Sequence, residues 1–195
     1  MMQKKYSGIP SRMKPLFSNL PLLETERLLL RSVRDEDAND VFKFTSNPLT
    51  SEWLTWYPHK SIDDTMNFIT SVLQNYRNNQ AGQWAIELKI TNQVIGLCGF
   101  IYYSEEHFMG EVAYVVSPDF WGRGFLPEAL RKIVDHSFIY YGTKKIIAKC
   151  ENGNIGSEKA LLKADFKQED FLISHFERKG IRRDYKFFAI VNESK

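Results

Sequence analysis

The residues best suited to chemistry stand together in one run, Val115-Val116-Ser117-Pro118-Asp119-Phe120-Trp121-Gly122-Arg123-Gly124-Phe125-Leu126-Pro127-Glu128-Ala129-Leu130. An apolar strand ends at Ser117-Pro118 and a glycine turn follows. Pro127 and Glu128 then open a helix, where proline has no N–H to lose and its φ is already helical. Leu130, Val134, Phe138 and Tyr141 continue that helix as one apolar stripe, with Ala129 and Ile133 beside it. A helix start offers unpaired N–H groups and the positive end of the peptide dipole. Gly122 and Gly124 remove the Cβ atoms that would keep an anion from those groups. Two readings fit this spacing: a cradle that holds a pyrophosphate by backbone, helped by Arg123, or a tight turn and nothing more. Two nucleotide motifs fail here. The third glycine of G-x-G-x-x-G falls on Pro127, and no Gly-Lys-Ser/Thr follows.

A mixed sheet must position this run. Residues 28–33 read as a strand entered through Glu24-Thr25-Glu26-Arg27. Residues 35–44 open with acids, as a helix N-terminus favours, and bury Ala38 and Val41. Ser61 and Asp64 resemble a capping box, with Ile62, Met66, Ile69, Leu73 and Tyr76 at helical spacing behind them. Strands follow at 83–90, 94–103 and 111–116, then a helix at 127–140, a strand at 145–151 and a short helix at 157–163. Residues 171–176 and 185–191 close the chain as an antiparallel pair around Lys179-Gly180. Long antiparallel stretches with one strand–helix–strand crossover predict an α/β fold in layers. The expectation is a mixed, mostly antiparallel seven-stranded sheet flanked by about four helices. Residues 1–21, with Pro10, Pro15 and Pro21 and little periodicity, read as an N-terminal arm, leaving 22–195 as one domain.

Composition narrows the function. A net charge of +2 over 195 residues does not suggest a specific nucleic-acid binder. No stretch of about eighteen apolar residues is present to span a membrane, and no apolar h-region follows Lys4, Lys5, Arg12 and Lys14, so the cytoplasm is expected. Cys98 and Cys150 lie in apolar runs and read as buried strand thiols in a reducing compartment, the alternative being a reactive nucleophile. His59, His107, His136 and His175 are scattered without i, i+4 spacing, so no metal is expected.

Trp121-Gly122-Arg123-Gly124-Phe125 followed by Glu128-Ala129-Leu130 resembles the coenzyme A pyrophosphate loop of the GNAT (GCN5-related) N-acetyltransferases, and more narrowly their ribosomal-protein N-acetyltransferase branch. Residues 23–31, Leu-Glu-Thr-Glu-Arg-Leu-Leu-Leu-Arg, resemble that branch's first strand. Asn154-Ile155-Gly156-Ser157 ahead of Ala164-Asp165-Phe166 is also similar, with Asp165 where the family usually has glycine and Asp119 where the superfamily often has Gln or Arg. The resemblance spans roughly residues 22–192, carried by these three separated motifs in order.

It implies acetyl-coenzyme A as co-substrate and an amine as acceptor. Strand 111–117 would splay from strand 145–151, and the pantetheine arm would pair in the gap as an extra strand does. Tyr114, Val115, Val116, Trp121, Gly122, Arg123, Gly124, Phe125, Leu126 and Asn154 would then bind the coenzyme, with a backbone N–H near 114–116 receiving the oxyanion. Glu111 matches a family carboxylate that deprotonates the amine, often through water. By alternation it shares a face with Ala113 and Val115, and a solvated strand-end glutamate reads as well. Ser157 is either an acid for the leaving thiolate or the cap of the helix that begins there. Trp53, Trp56 and Tyr57 either line the amine pocket or pack on the sheet, and Tyr140 and Tyr141 suit core packing. The acceptor is a protein N-terminus, in the branch a ribosomal one, or a small molecule such as a polyamine or antibiotic. The alternative is a non-catalytic acyl-coenzyme A-binding module, and the chain would act as a monomer or homodimer.

Overall fold

Val94 to Phe100 are buried without a break, as a strand covered on both faces requires. In the computed structural model, which describes residues 16–193, this strand lies mid-sheet. The strands are β1 (Leu23–Glu24), β2 (Leu28–Ser32), β3 (Gly82–Leu88), β4 (Val94–Ser104), β5 (Met109–Val116), β6 (Lys145–Glu151), β7 (Lys167–Arg178) and β8 (Ile181–Val191). They form one 8-stranded sheet in the order β1-β2-β3-β4-β5-β6-β8-β7. Among the described residues only β5 and β6 pair in parallel. The strand beyond the seven expected is β1, which pairs Leu23 with Leu30 and is too short to show a period.

The helices are α1 (Ala38–Thr45), α2 (Pro48–Ser51), α3 (Ile62–Arg77), α4 (Phe125–His136) and α5 (Ile155–Lys163). The helix beyond the expected four is α2, a single turn begun by Asn47, whose side chain accepts from Leu49 N–H at 3.0 Å. The capping box at α3 forms in both directions between Ser61 and Asp64. α4 stops at His136, where a π turn takes over through Tyr141. None of these helices is long and apolar enough to cross a membrane.

Cross-strand pairs sort the two faces. Leu30, Ile86, Gly96, Val116 and Tyr114 share one, and Arg31, Ala85, Leu97 and Val115 the other. Tyr114 reaches Ser157 of α5 on the first face, and α4 packs there with Ala129, Leu130, Ile133 and Val134 buried. On the second, Arg31 holds Asp37 at 2.7 Å just ahead of α1, and takes Glu87 at 2.6 Å.

Residues 1–15 of the expected arm lie outside the described residues. Residues 16–21 pack on the domain: Phe17 is 2% exposed, with its ring 5.8 Å from Phe100 and 5.9 Å from Tyr103. A Cβ on Gly82 would fall 2.4 Å from that ring, so Gly82 is the partner this packing requires. The prolines hide the segment because a single anchoring aromatic has no period.

One contact orients α4. The Glu128 carboxylate accepts from Thr25 Oγ1 at 2.5 Å, from Arg27 N–H at 3.1 Å and from Arg27 Nε at 2.7 Å, which ties the helix start to the β1–β2 turn. Burial opposes its charge, yet the hydrogen bonds from Thr25 and Arg27 outweigh that and hold the carboxyl below the ordinary glutamate value. With the folded value depressed, this stability is complete above the unfolded value and is lost as pH falls through the folded one. Glu128→Gln is expected to cost about 1 kcal/mol near neutrality, since Arg27 stays 42% exposed and is screened by solvent. The variant's deficit should shrink as urea melts are taken from about pH 7 down to about pH 3; a pH-independent deficit would mean that the carboxylate charge is not what holds the turn.

Asp165 follows α5 at φ 66, a left-handed position that favours glycine. Its N–H reaches Leu162 O at 3.1 Å, and its carboxylate meets Arg131 through largely exposed side chains. Asp165→Gly should raise stability by about 1 kcal/mol, or roughly 2–4 °C in melting temperature, and a calorimetric scan reads it directly.

Candidate active site

β5 and β6 pair from Met109 and Lys145 to Val112 and Ala148, then part. Ser117 N–H donates to Ile95 O at 2.8 Å, so alternation turns the backbone groups of Ser117, Val115 and Ala113 toward β4. Those of Tyr114 and Val116 turn toward the gap. The Trp121 indole N–H donates to Val116 O at 2.8 Å and covers part of this edge. A cavity of about 490 Å³ opens here. Tyr114, Val115, Val116, Trp121, Gly122, Gly124, Phe125, Leu126, Asn154 and Ser157 all line it. Arg123 and Glu111 do not.

At one end the chain turns through Pro118–Phe120 into the glycine loop. Gly122 and Gly124 have φ of 76° and 80°, and Gly124 is the residue from which α4 starts. The first bond of that helix is Glu128 N–H to Gly124 O at 3.2 Å. The amides of Gly124, Phe125 and Leu126 therefore head the helix without an acceptor among the described residues. A Cβ on Gly122 would meet nothing within 4 Å, and one on Gly124 only Arg27 Nη2 at 3.5 Å. No protein contact demands glycine here. The positive φ does, and a side chain would fill the space in front of the amides. Such a donor set, without a carboxylate in the cavity wall, suits a phosphate. Arg123 is turned along the rim, its guanidinium 5.5 Å over the Phe120 ring and its carbonyl taken by Arg27 Nη1 at 3.1 Å.

At the other end, Tyr114 OH and Ser157 Oγ are 2.7 Å apart. Burial pushes the Tyr114 phenol well above its ordinary range, so it stays protonated. Asn154, not Ser157, caps α5: its Oδ1 accepts from Ser157 N–H at 3.1 Å. The capping reading of Ser157 is thereby corrected, because α5 begins two residues earlier than its apolar period shows. Thr50, Trp53 and Leu54, from α2 and the loop after it, complete this wall. Trp53 was legible as an aromatic in that loop, whereas Thr50 and Leu54 carried no signal. Trp56 packs on His59 at 5.3 Å, and Tyr57 lies under Lys179 Nζ at 4.9 Å; neither lines the cavity. Tyr140, expected in the core, is 71% exposed and stacks on His136, whereas Tyr141 packs inward against Phe17.

Glu111 is on the face of Ala113 and Val115, as alternation predicts, and its carboxylate meets Lys149 Nζ at 3.0 Å. Cys98 and Cys150 are buried without a disulfide, and burial raises both thiols above their ordinary range. Among the described residues no group of three His, Cys, Asp or Glu side chains could hold a metal ion.

The acetyltransferase (GNAT) domain model matches residues 27–167. The uncharacterized N-acetyltransferase YoaA of Bacillus subtilis (strain 168) is 30% identical over 171 residues, which cover 88% of this chain and 97% of YoaA. The fold superposes on RimL, the ribosomal L7/L12 α-N-protein acetyltransferase solved with coenzyme A, with a TM-score of 0.78 at 16% identity, covering 90% of this chain and 100% of RimL. It also superposes on spermidine N-acetyltransferase from Vibrio cholerae, solved with CoA and spermine, with a TM-score of 0.73 at 20% identity, covering 86% and 96% of the two chains. An opened mixed sheet beside a glycine-headed helix is thus joined to a family match over most of the sequence, and the chain belongs to the GNAT acetyltransferases as an N-acetyltransferase.

Proposed function

We propose that the protein moves the acetyl group of acetyl-coenzyme A to the α-amine of a protein N-terminus by direct attack on the thioester. The observation that carries this reading is the row of unpaired amides at Gly124, Phe125 and Leu126 where the β5–β6 gap opens. Those amides and the α4 dipole would hold the pyrophosphate, Trp121 and Arg123 flanking it. Backbone groups of Tyr114 and Val116 would pair the pantetheine arm, with Val115 and Asn154 lining its path. The bound coenzyme supplies an activated acyl carbon. Tyr114 N–H faces the gap and is placed to donate to the carbonyl oxygen as charge builds on it, a contribution on the order of 3 kcal/mol. As the new C–N bond forms and the C–S bond breaks, the bonding pair leaves on the coenzyme sulfur; Ser157 Oγ–H, its hydroxyl held by Tyr114 OH, would hydrogen-bond that thiolate and relay it a proton that solvent water replaces. The amine's proton departs through water toward Glu111 on the far face. The buried, unpaired thiols of Cys98 and Cys150 suit work in a reducing cytoplasm. The ribosomal-protein acceptor is favoured by the likeness to RimL.

Calorimetric titration with acetyl-coenzyme A, with NAD and ATP as controls, tests the site. Selective, saturable binding is expected, and Gly124→Val should weaken it at least tenfold by filling the space before the amides and straining a left-handed φ. Unchanged affinity in a variant that still melts cooperatively would overturn the cradle. Thiol release with N-terminal peptides then separates an enzyme from a silent binding module. Glu111→Gln should lower kcat roughly 10²-fold while the coenzyme Kd stays put; equal turnover near neutrality would remove Glu111 from the reaction.

A further inference from the structure

The side of the gap away from Ser157 carries a charged and aromatic cluster that acyl transfer does not by itself require. Val112 and Ala148 form the last β5–β6 pair, so Ala113 and Lys149 are the first residues beyond it. Register places Glu111, Ala113, Val115 and Lys149 on one face. Lys149 Nζ is 3.0 Å from the Glu111 carboxylate, 4.8 Å from the centre of the Phe176 ring and 6.0 Å from that of Phe187. Phe176 meets Tyr185 edge-on at 5.3 Å, which fixes the aromatic wall. The Lys149 and Glu111 side chains remain 30% and 15% exposed, so solutes reach the cluster. A carboxylate with aromatic faces around it is the chemistry that recognises an ammonium ion. Here the chain's own Lys149 is that ammonium. The next carboxylate along the same face of β6, Glu151, is taken by Arg178 and approached by Arg183 at 3.8 Å. Neither acid is left for a cation brought by a ligand.

We propose that Lys149 is a specificity-determining residue. By filling the box of Glu111, Phe176 and Phe187 beside the gap, it excludes acceptors that carry a second ammonium near the reacting amine. The acceptor class is then a monoamine, such as a peptide α-amine, rather than a polyamine. This rests on the acyl-transfer reading above and narrows its acceptor. Two ammonium groups a few ångströms apart repel even in water, and more strongly in a half-buried groove.

The test titrates spermidine into protein saturated with coenzyme A, comparing the parent with Lys149→Met, which keeps the apolar stem and drops the charge. The expected result is weak or no saturable binding by the parent and at least tenfold tighter binding by Lys149→Met. Adding Glu111→Gln to that variant should erase the gain. In thiol-release assays the ratio of spermidine to alanyl-tripeptide-amide turnover should rise at least tenfold in Lys149→Met. Equal spermidine binding by parent and variant, whether tight or absent in both, overturns the assignment. Should Lys149→Met melt early, Lys149→Gln carries the same comparison. If the parent fails to bind acetyl-coenzyme A, the acyl-transfer reading itself falls; acetyl-coenzyme A binding with unchanged spermidine affinity removes only the role of Lys149.

Discussion

Between β5 and β6 the backbone pairing stops at Val112 and Ala148, although β5 continues to Val116 and β6 to Glu151. Unpaired peptide groups inside a sheet cost about 1–3 kcal/mol each when water is excluded, so such a gap closes unless both strands are held apart. Each strand here is gripped from its outer side. β4 keeps β5 through Val116 and on to Ser117, and β8 pairs with β6 as far as Glu151 and Tyr185. The Trp121 indole meets Val116 O from within, and α5 begins as soon as β6 ends. The opening is a product of the sheet's outer pairings.

That opening has chemical value only if the start of α4 points into it. Glu128 secures the direction by turning its carboxylate away from the helix end, toward Thr25 and Arg27. An acid in a first turn commonly neutralises the helix N-terminus on which it sits. Here its lone pairs are spent on the β1–β2 turn, and the amides of Gly124, Phe125 and Leu126 keep their donors for another anion. Two segments a hundred residues apart in sequence, Thr25-Glu26-Arg27 and Phe125 to Glu128, thus act as one unit.

Local patterns carried most of this into the sequence. The glycine loop, the capping box at Ser61 and the alternation that turns Glu111 away from Tyr114 are each decided within a few residues, and each is where its pattern puts it. What sequence concealed was partnership. Lys149 meets Glu111 across a parallel pair whose strands are joined by a helical crossover, and nothing local to either residue records the register. Ser157 looked like a cap because serine commonly is one, but the turn before it brought Asn154 to that position. Phe17 lay hidden among prolines because an isolated anchor has no periodicity.

The part of the cavity wall formed by Thr50, Trp53 and Leu54 is held by a different set of contacts from the glycine loop. α2 is a single turn and has no stability of its own. Its end is fixed by the β7–β8 hairpin, where Arg178 donates to Glu52 O at 2.6 Å and Lys179 to Ser51 O at 2.7 Å. Arg178 is itself anchored to Glu151 at the end of β6. Substitutions in α2 or the hairpin can therefore reshape the wall formed by Thr50, Trp53 and Leu54 while the glycine loop and the Glu128 contact stay as they are. A fold divided in this way lets one region vary while the other is kept, so membership in the family fixes the reaction and not the acceptor, the choice we propose for Lys149.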